Sequence, residues 1–139
     1  MKLDHIGIAV RSLDAALRFY CDHLKLTQSG TEEIPAEKVR VALLPLGETR
    51  LELLEPTAPD SPIAKFLEKR GEGIHHIAIE VERLDAHLRQ LEAAGVRILL
   101  GKGPYGAGGH RYAFLHPSSC GGVLVELVET LRPTVDREE

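Results

Sequence analysis

The stretch beginning at Leu3, LDHIGIAVRSLDAAL, returns at Ile74 as IHHIAIEVERLDAHL. A displacement of 71 residues carries His5 onto His76, Ile6 onto Ile77, Ile8 onto Ile79, Val10 onto Val81 and Leu13-Asp14-Ala15 onto Leu84-Asp85-Ala86. Leu17 and Arg18 fall on Leu88 and Arg89. A second echo follows, because RLELLE from Arg50 resembles LVELVE from Leu124, with Glu52 and Glu126 separated by 74 residues. A chain of 139 residues that repeats itself in this way is two copies of one supersecondary unit sharing a core. The copies run over about residues 1–57 and 73–130.

Each copy changes hydrophobic period along its length, from two residues to about 3.6, which separates strand from helix. Residues 3–10 alternate as a strand, and Leu13, Leu17, Tyr20 and Leu24 then form an apolar helical stripe behind a Ser12 cap. Strands follow near 27–33, 39–45 and 49–55, the last two joined by a turn at Gly47. The second copy predicts a strand over 74–81, a helix over 84–94 closed by Gly95, and strands near 97–100, 111–116 and 122–129. Each module is therefore βαβββ. Between them DSPIAKFLEKRG carries the punctuation of a helix over 61–70, with Ser61 as cap, Pro62 at the first turn and Gly71 as stop.

Strand alternation sorts the side chains by face. Ile6, Ile8 and Val10 share a face suited to packing under the helix, while His5, Gly7 and Ala9 share the other. In the second copy Ile77, Ile79 and Val81 pack, and His76 and Ala78 look the other way. Small residues beside a histidine leave open space that a packed core would fill. Leu51 and Leu53 likewise oppose Glu52, and Val125 and Leu127 oppose Glu126. If a pseudo-twofold axis relates the modules, His5, Glu52, His76 and Glu126 converge on the bare face as a site for a divalent transition metal. An isolated His or Glu on a strand is ordinarily a hydrogen-bonded edge residue; recurrence of both types at matching places favours ligation. His75 precedes His76, so alternation sends it to the opposite face as an outer-shell or surface group, and its counterpart is Asp4.

Composition excludes several functions. A formal charge of -4 with no basic block argues against nucleic-acid binding. The N-terminus MKLDHIGIAV lacks the run of a secretory signal, and no segment has the length of a membrane span, so a cytoplasmic protein is expected. Cys21 and Cys120 stand in no metal-like spacing and read as reduced thiols. GPYGAGGH from Gly103 lacks Walker spacing and reads as a loop over the cavity mouth, and RPTVDREE closes the polar tail 131–139.

At these residues the whole chain resembles the vicinal oxygen chelate superfamily, whose members fuse two βαβββ modules around metal ligands His, Glu, His, Glu. The expected class is α+β, a cupped mixed sheet around a metal cavity in one domain. DHIGIAV, LELLEP, DSPIAKFLEKRGEGIHHIAIEV and GGHRYAFLHPSSCGGVLVELVE narrow the resemblance to the methylmalonyl-CoA epimerases within it. The resemblance implies His5, Glu52, His76 and Glu126 as ligands of a divalent ion such as cobalt, manganese, nickel or zinc. It also implies an acyl-CoA substrate and a homodimer. Epimerisation at an acidified carbon needs a base on one face and an acid on the other, and Glu52 and Glu126 supply two carboxylates across the pseudo-axis. Coenzyme A is polyanionic, so Lys65, Lys69, Lys102 and Arg111 are the candidate substrate contacts near the cavity mouth.

Two departures qualify this reading. Many bacterial epimerases hold a glutamine at the position of Glu52 and a catalytic glutamate at that of Val41, although other members share the Val and Glu arrangement. A lysine also often follows the proline of FLHP, where Ser118 stands here. Three other functions share the fold: a glyoxalase I acting on a glutathione hemithioacetal, a metal-free binding protein of the bleomycin-sequestering kind, and an extradiol dioxygenase. The SPIAKFL and FLHP segments oppose the first, four intact ligand positions the second. The last uses two His and one Glu around iron, usually in a longer chain.

Overall fold

The computed structural model describes residues 1–100 and 111–130. Lys102, the segment from Gly103 to His110 and the tail 131–139 lie outside the described residues. Module one contains β1 (Lys2–Ala9), α1 (Leu13–Leu17), β2 (Gly30–Ile34), β3 (Val39–Leu46) and β4 (Thr49–Pro56). Helix α2 (Pro62–Arg70) connects it to module two, formed by β5 (Gly73–Val81), α3 (Leu84–Ala93), β6 (Ile98–Leu100), β7 (Tyr112–Leu115) and β8 (Val125–Glu129). The eight strands make one mixed sheet in the order β2-β3-β4-β1-β5-β8-β7-β6. β1 runs parallel to β4 and β5 parallel to β8, whereas β1 and β5 meet antiparallel at the centre. That antiparallel seam is where the two modules face each other.

The two sides of the sheet bury different things. On the outer side α1 packs Leu13 against Val10, Ala42, Leu44 and Leu53, and α3 packs Leu84 against Val81, Leu115 and Leu127. On the inner side Ile63 and Leu67 of α2 cover Ala9, Val39, Val41 and Leu54. Ser61 and Pro62 start α2 as the sequence predicts, the Ser61 hydroxyl accepting from the Ile63 N–H at 3.1 Å, and Gly71 ends it at φ +76°.

The stripe predicted for the first helix is interrupted. After Leu17 the backbone widens into a π-helical turn over Arg18–His23. More residues per turn rotate Leu24 off the packed face, leaving it 52% exposed, while Tyr20 and Cys21 meet the core. The Cys21 and Cys120 thiols are free, as expected. Among the described residues, no helix is long and apolar enough to cross a membrane.

Candidate metal centre

The seam between β1 and β5 brings the repeated histidines together. His5 stands opposite Ala78 and His76 opposite Gly7. Each imidazole therefore lies over a residue with little or no side chain. At Gly7 the requirement is steric: an added Cβ would fall onto the His76 ring, 2.6 Å from Nδ1 and 2.8 Å from Nε2. β4 and β8, parallel to these strands, place Glu52 beside Gly7 and Glu126 beside Ala78. All four side chains are at least nine-tenths buried.

Three of the predicted donors converge closely. His5 Nε2 lies 3.1 Å from His76 Nε2, and Glu126 Oε1 is 3.2 Å from the first and 3.1 Å from the second. Two imidazole nitrogens and a carboxylate oxygen thus form a nearly equilateral triangle. An ion with ~2.0–2.1 Å bonds holds neighbouring donors about 2.9–3.4 Å apart, so the triangle has the size of a metal's ligand face. The chemistry agrees: lone pairs aimed at one another and at a carboxylate need a cation, either a proton or a metal. The residues present fit a divalent ion.

Glu52 belongs to an adjoining group. Its Oε2 receives both Nε and Nη2 of Arg50 at 2.7 Å, and lies 3.4 Å from His5 Nδ1. The same guanidinium reaches Asp4 Oδ2 at 3.1 Å, and Asp4 Oδ2 is 2.7 Å from His5 Nδ1. His5 is thus shared by two potential cation-binding clusters, one with His76 and Glu126 and one with Asp4 and Glu52. Asp4 and Arg50 were not anticipated from the sequence. Arg50 could have been found, since it sits two residues before Glu52 on the same strand face.

The alternation argument does not hold for His75. Its Nδ1 lies 2.9 Å from His76 Nδ1, and its ring meets Phe66 of α2 edge-on at 5.0 Å between centroids. The reason is a register shift in β5, where Gly7 pairs with His76 and Ile8 already pairs with Ile74. A bulge here brings His75 toward its neighbour instead of away from it.

The charge distribution follows from burial and contact. Burial alone would lower the His5 pKa, but hydrogen bonds to Asp4 and Glu126 and the charges of Glu52 and Glu126 outweigh it and raise the value to about 9. Burial would raise that of Glu126, yet its contacts with His5 and His76 bring it down to about 2. His75 is pushed down to about 4, first by burial and then by the His76 ring. The raised value favours a protonated, cationic His5 among these carboxylates at neutral pH.

The candidate substrate cations are dispersed. Lys65 and Lys69 are exposed on α2, which covers the inner face of module one. Arg111 is engaged at the start of α3, with Nη2 2.7 Å from Asp85 and Nη1 3.3 Å from Glu129. Val41 is 1% exposed and packs under α2 on the inner face. Tyr112 on the same face of module two donates to Glu37 Oε2 at 2.8 Å, a contact between the modules that no sequence pattern signalled.

A βαβββ pair with a His, His, Glu triangle at its seam defines a class of metal-binding fold. The chain matches the Glyoxalase/Bleomycin resistance protein/Dioxygenase superfamily over residues 4–114 and belongs to it. Within that family it is 43% identical to the mitochondrial methylmalonyl-CoA epimerase of Homo sapiens over 127 residues, 91% of this chain and 72% of the relative. It is 42% identical to an ethylmalonyl-CoA/methylmalonyl-CoA epimerase of Cereibacter sphaeroides over 128 residues, 91% of this chain and 96% of the relative. A solved single-residue variant of the Streptomyces coelicolor methylmalonyl-CoA epimerase in complex with 2-nitronate-propionyl-CoA superposes with a TM-score of 0.89 at 41% identity, covering 94% of this chain and 95% of that one. A probable lactoylglutathione lyase of Synechocystis is more distant, at 26% identity over 130 residues.

Proposed function

We propose that the chain is a metal-dependent methylmalonyl-CoA epimerase, interconverting the (R) and (S) forms by removing the C2 proton and returning it on the other face. The epimerase relatives extend over nine-tenths of the chain at above 40% identity, whereas the lactoylglutathione lyase stands at 26%. The observation that carries the chemistry is the triangle of His5 Nε2, His76 Nε2 and Glu126 Oε1, with edges of 3.1–3.2 Å.

His5, His76 and Glu126 hold the ion in this reading, and Glu52 joins them by leaving Arg50. The ion is divalent, of the cobalt, manganese, nickel or zinc kind. When bound it supplies Lewis acidity that makes the hydrogen between thioester and carboxylate easier to remove. Glu52 and Glu126 stand on opposite sides of the central seam and act as the proton-transfer pair. The apolar inner faces around Val41, Leu54, Tyr112 and Phe114 limit water beside the reacting carbon. Lys65 and Lys69, with Lys102, attract the coenzyme A phosphates to an otherwise acidic protein. The reading extends to a homodimer acting in the cytoplasm.

The decisive experiment follows C2 proton exchange of methylmalonyl-CoA in deuterated water, with and without chelator. Exchange and epimerisation that stop with chelator and return with a divalent ion are expected. Turnover of methylglyoxal with glutathione, with none of methylmalonyl-CoA, would overturn the assignment in favour of the lyase. Metal analysis of variants tests the ligands: His5→Ala and His76→Ala lose the ion, and His75→Ala still binds about one per chain when metal is saturating.

A further inference from the structure

The register of the central seam contains two irregularities, and they are equivalent. Leu3 pairs with Ile79 and His5 with Ala78, so the register passes over Asp4; Gly7 pairs with His76 and Ile8 with Ile74, so it passes over His75. Asp4 and His75 are related by the same 71-residue displacement as the two histidines that follow them. Each strand of the seam therefore inserts one extra residue immediately before its metal-ligating candidate.

An unbroken strand would point Asp4 away from His5 and His75 away from His76. With the bulges, Asp4 Oδ2 lies 2.7 Å from His5 Nδ1 and His75 Nδ1 lies 2.9 Å from His76 Nδ1. The contact is made in both cases to the nitrogen that does not face the Glu126 triangle. An imidazole that offers its Nε2 lone pair carries its proton on Nδ1, so each bulged residue accepts that proton. Asp4 offers it a carboxylate oxygen at 2.7 Å, and His75 offers its Nδ1 at 2.9 Å in the tautomer that leaves that nitrogen without hydrogen, its ring packed against Phe66. Fixing Nδ1–H orients the ring and directs the free lone pair at the ion.

We propose that Asp4 and His75 are the positioning residues of the metal centre, delivered by a pseudo-symmetric pair of β-bulges that lock His5 and His76 with Nε2 toward the ion. This rests on the metal-binding reading above and adds to it two residues outside the ligand set. The two partners are not equivalent electrostatically. A carboxylate raises the basicity of its imidazole more than a neutral ring does, so His5 is the stronger donor of the two.

The test uses cobalt(II) alone as the probe, titrated into metal-free wild-type protein and four variants, with affinity and the visible absorption of the bound ion as readouts. Asp4→Ala and His75→Ala are expected to bind about 10- to 100-fold more weakly, with altered absorption. In Asp4→Asn and His75→Asn the amide oxygen can accept the same Nδ1 proton, and most of the lost affinity returns. Loss of a merely structural contact would not be rescued in that pattern. Should an alanine variant fail to fold, as read by circular dichroism, nitrogen-15 spectra of the zinc-loaded wild-type histidines decide. Protons on Nδ1 of both His5 and His76 support the proposal, and a proton on Nε2 of either overturns it. Alanine variants with wild-type affinity and absorption overturn the positioning role alone, whereas a wild-type protein that takes up no cobalt overturns the metal site and the proposal together.

Discussion

At Gly7 a single hydrogen atom in place of a side chain decides whether His76 can occupy its position. Its backbone φ is not in the left-handed region, so the demand is for space and not for conformation. Gly7→Ala is therefore expected to fold while displacing the imidazole, and metal titration should show weakened binding with little loss of stability. Unchanged metal affinity would mean that the ring is not confined there. A second outcome concerns pH. The folded pKa of His5, about 9, lies above the ordinary 6.5, so in metal-free protein its stabilisation is complete below 6.5 and disappears as pH rises through about 9. His75 has the opposite sign, since its folded value near 4 lies below 6.5 and its contribution fades as pH falls through that range. Metal-free protein should accordingly be most stable near pH 6.5, read by urea denaturation in chelator. Saturating metal should remove the alkaline decline, because the ion replaces the proton on His5. A metal-free profile that keeps rising toward pH 9 would contradict this charge assignment. The histidines were legible in the sequence because they repeat beside small residues, and His75 was readable as an outer-shell or surface group; the contacts that Asp4 and His75 make were not, because a bulge leaves no trace in an alternating pattern.

Helices α1 and α3 show a second symmetric device, away from the cavity. Glu55 Oε2 accepts from the Leu13 N–H at 3.3 Å and Glu129 Oε2 from the Leu84 N–H at 3.2 Å. The other oxygen of each is paired, Glu55 with Arg40 at 2.6 Å and Glu129 with Arg111 at 3.3 Å. The last strand of each module thereby caps the first turn of that module's helix, and the carboxylate is clamped by an arginine, Arg40 on β3 in module one and Arg111 just before β7 in module two. A carboxylate at a helix N-terminus satisfies an orphan N–H and complements the dipole. Removing either, as Glu55→Ala or Glu129→Ala, should cost about 1 kcal/mol, within the range of lost N-caps. The loss at Glu129 should be the larger, because α1 keeps the Ser12 hydroxyl as a cap and Arg83 gives α3 none. Equal stability of wild type and Glu129→Ala in denaturant titration would dismiss the cap. This arrangement also accounts for Arg111, whose ion pairs belong to the helix start. The helices and strands themselves were readable from period and punctuation, since Pro62, Gly71, Gly47 and Gly95 stand where the backbone turns. What eluded that reading was the π-helical turn after Leu17, where an apolar spacing that fits an α-helix is realised with wider turns and Leu24 is released to solvent.

Across the whole molecule, duplication places two carboxylates symmetrically about the seam, and the question is whether the chemistry is equally symmetric. Val41 has no ionisable group and therefore supplies no proton, and it is sealed beneath α2. Glu52, on the adjacent strand, carries charge on the same inner face, and Arg50, itself paired with Asp4, holds it near His5. We read this as a carboxylate moved from one strand to the next. Glu52 would then serve one face of the substrate and Glu126 the other, each leaving its cation while transferring a proton. The competing assignment makes Glu52 a ligand only, with water or another side chain as the second base. Glu52→Gln separates the two, because an amide keeps the size and a coordinating oxygen but takes no proton at neutral pH. If Glu52 is a base, the variant retains its metal and loses epimerisation by about 100-fold or more, the scale of a lost acid/base catalyst. Glu126 would still exchange the C2 proton of one epimer with solvent deuterium, so exchange becomes one-sided while inversion stops. Epimerisation at the wild-type rate in Glu52→Gln would show that Glu52 only binds, and that the second proton-transfer group lies elsewhere on the inner face.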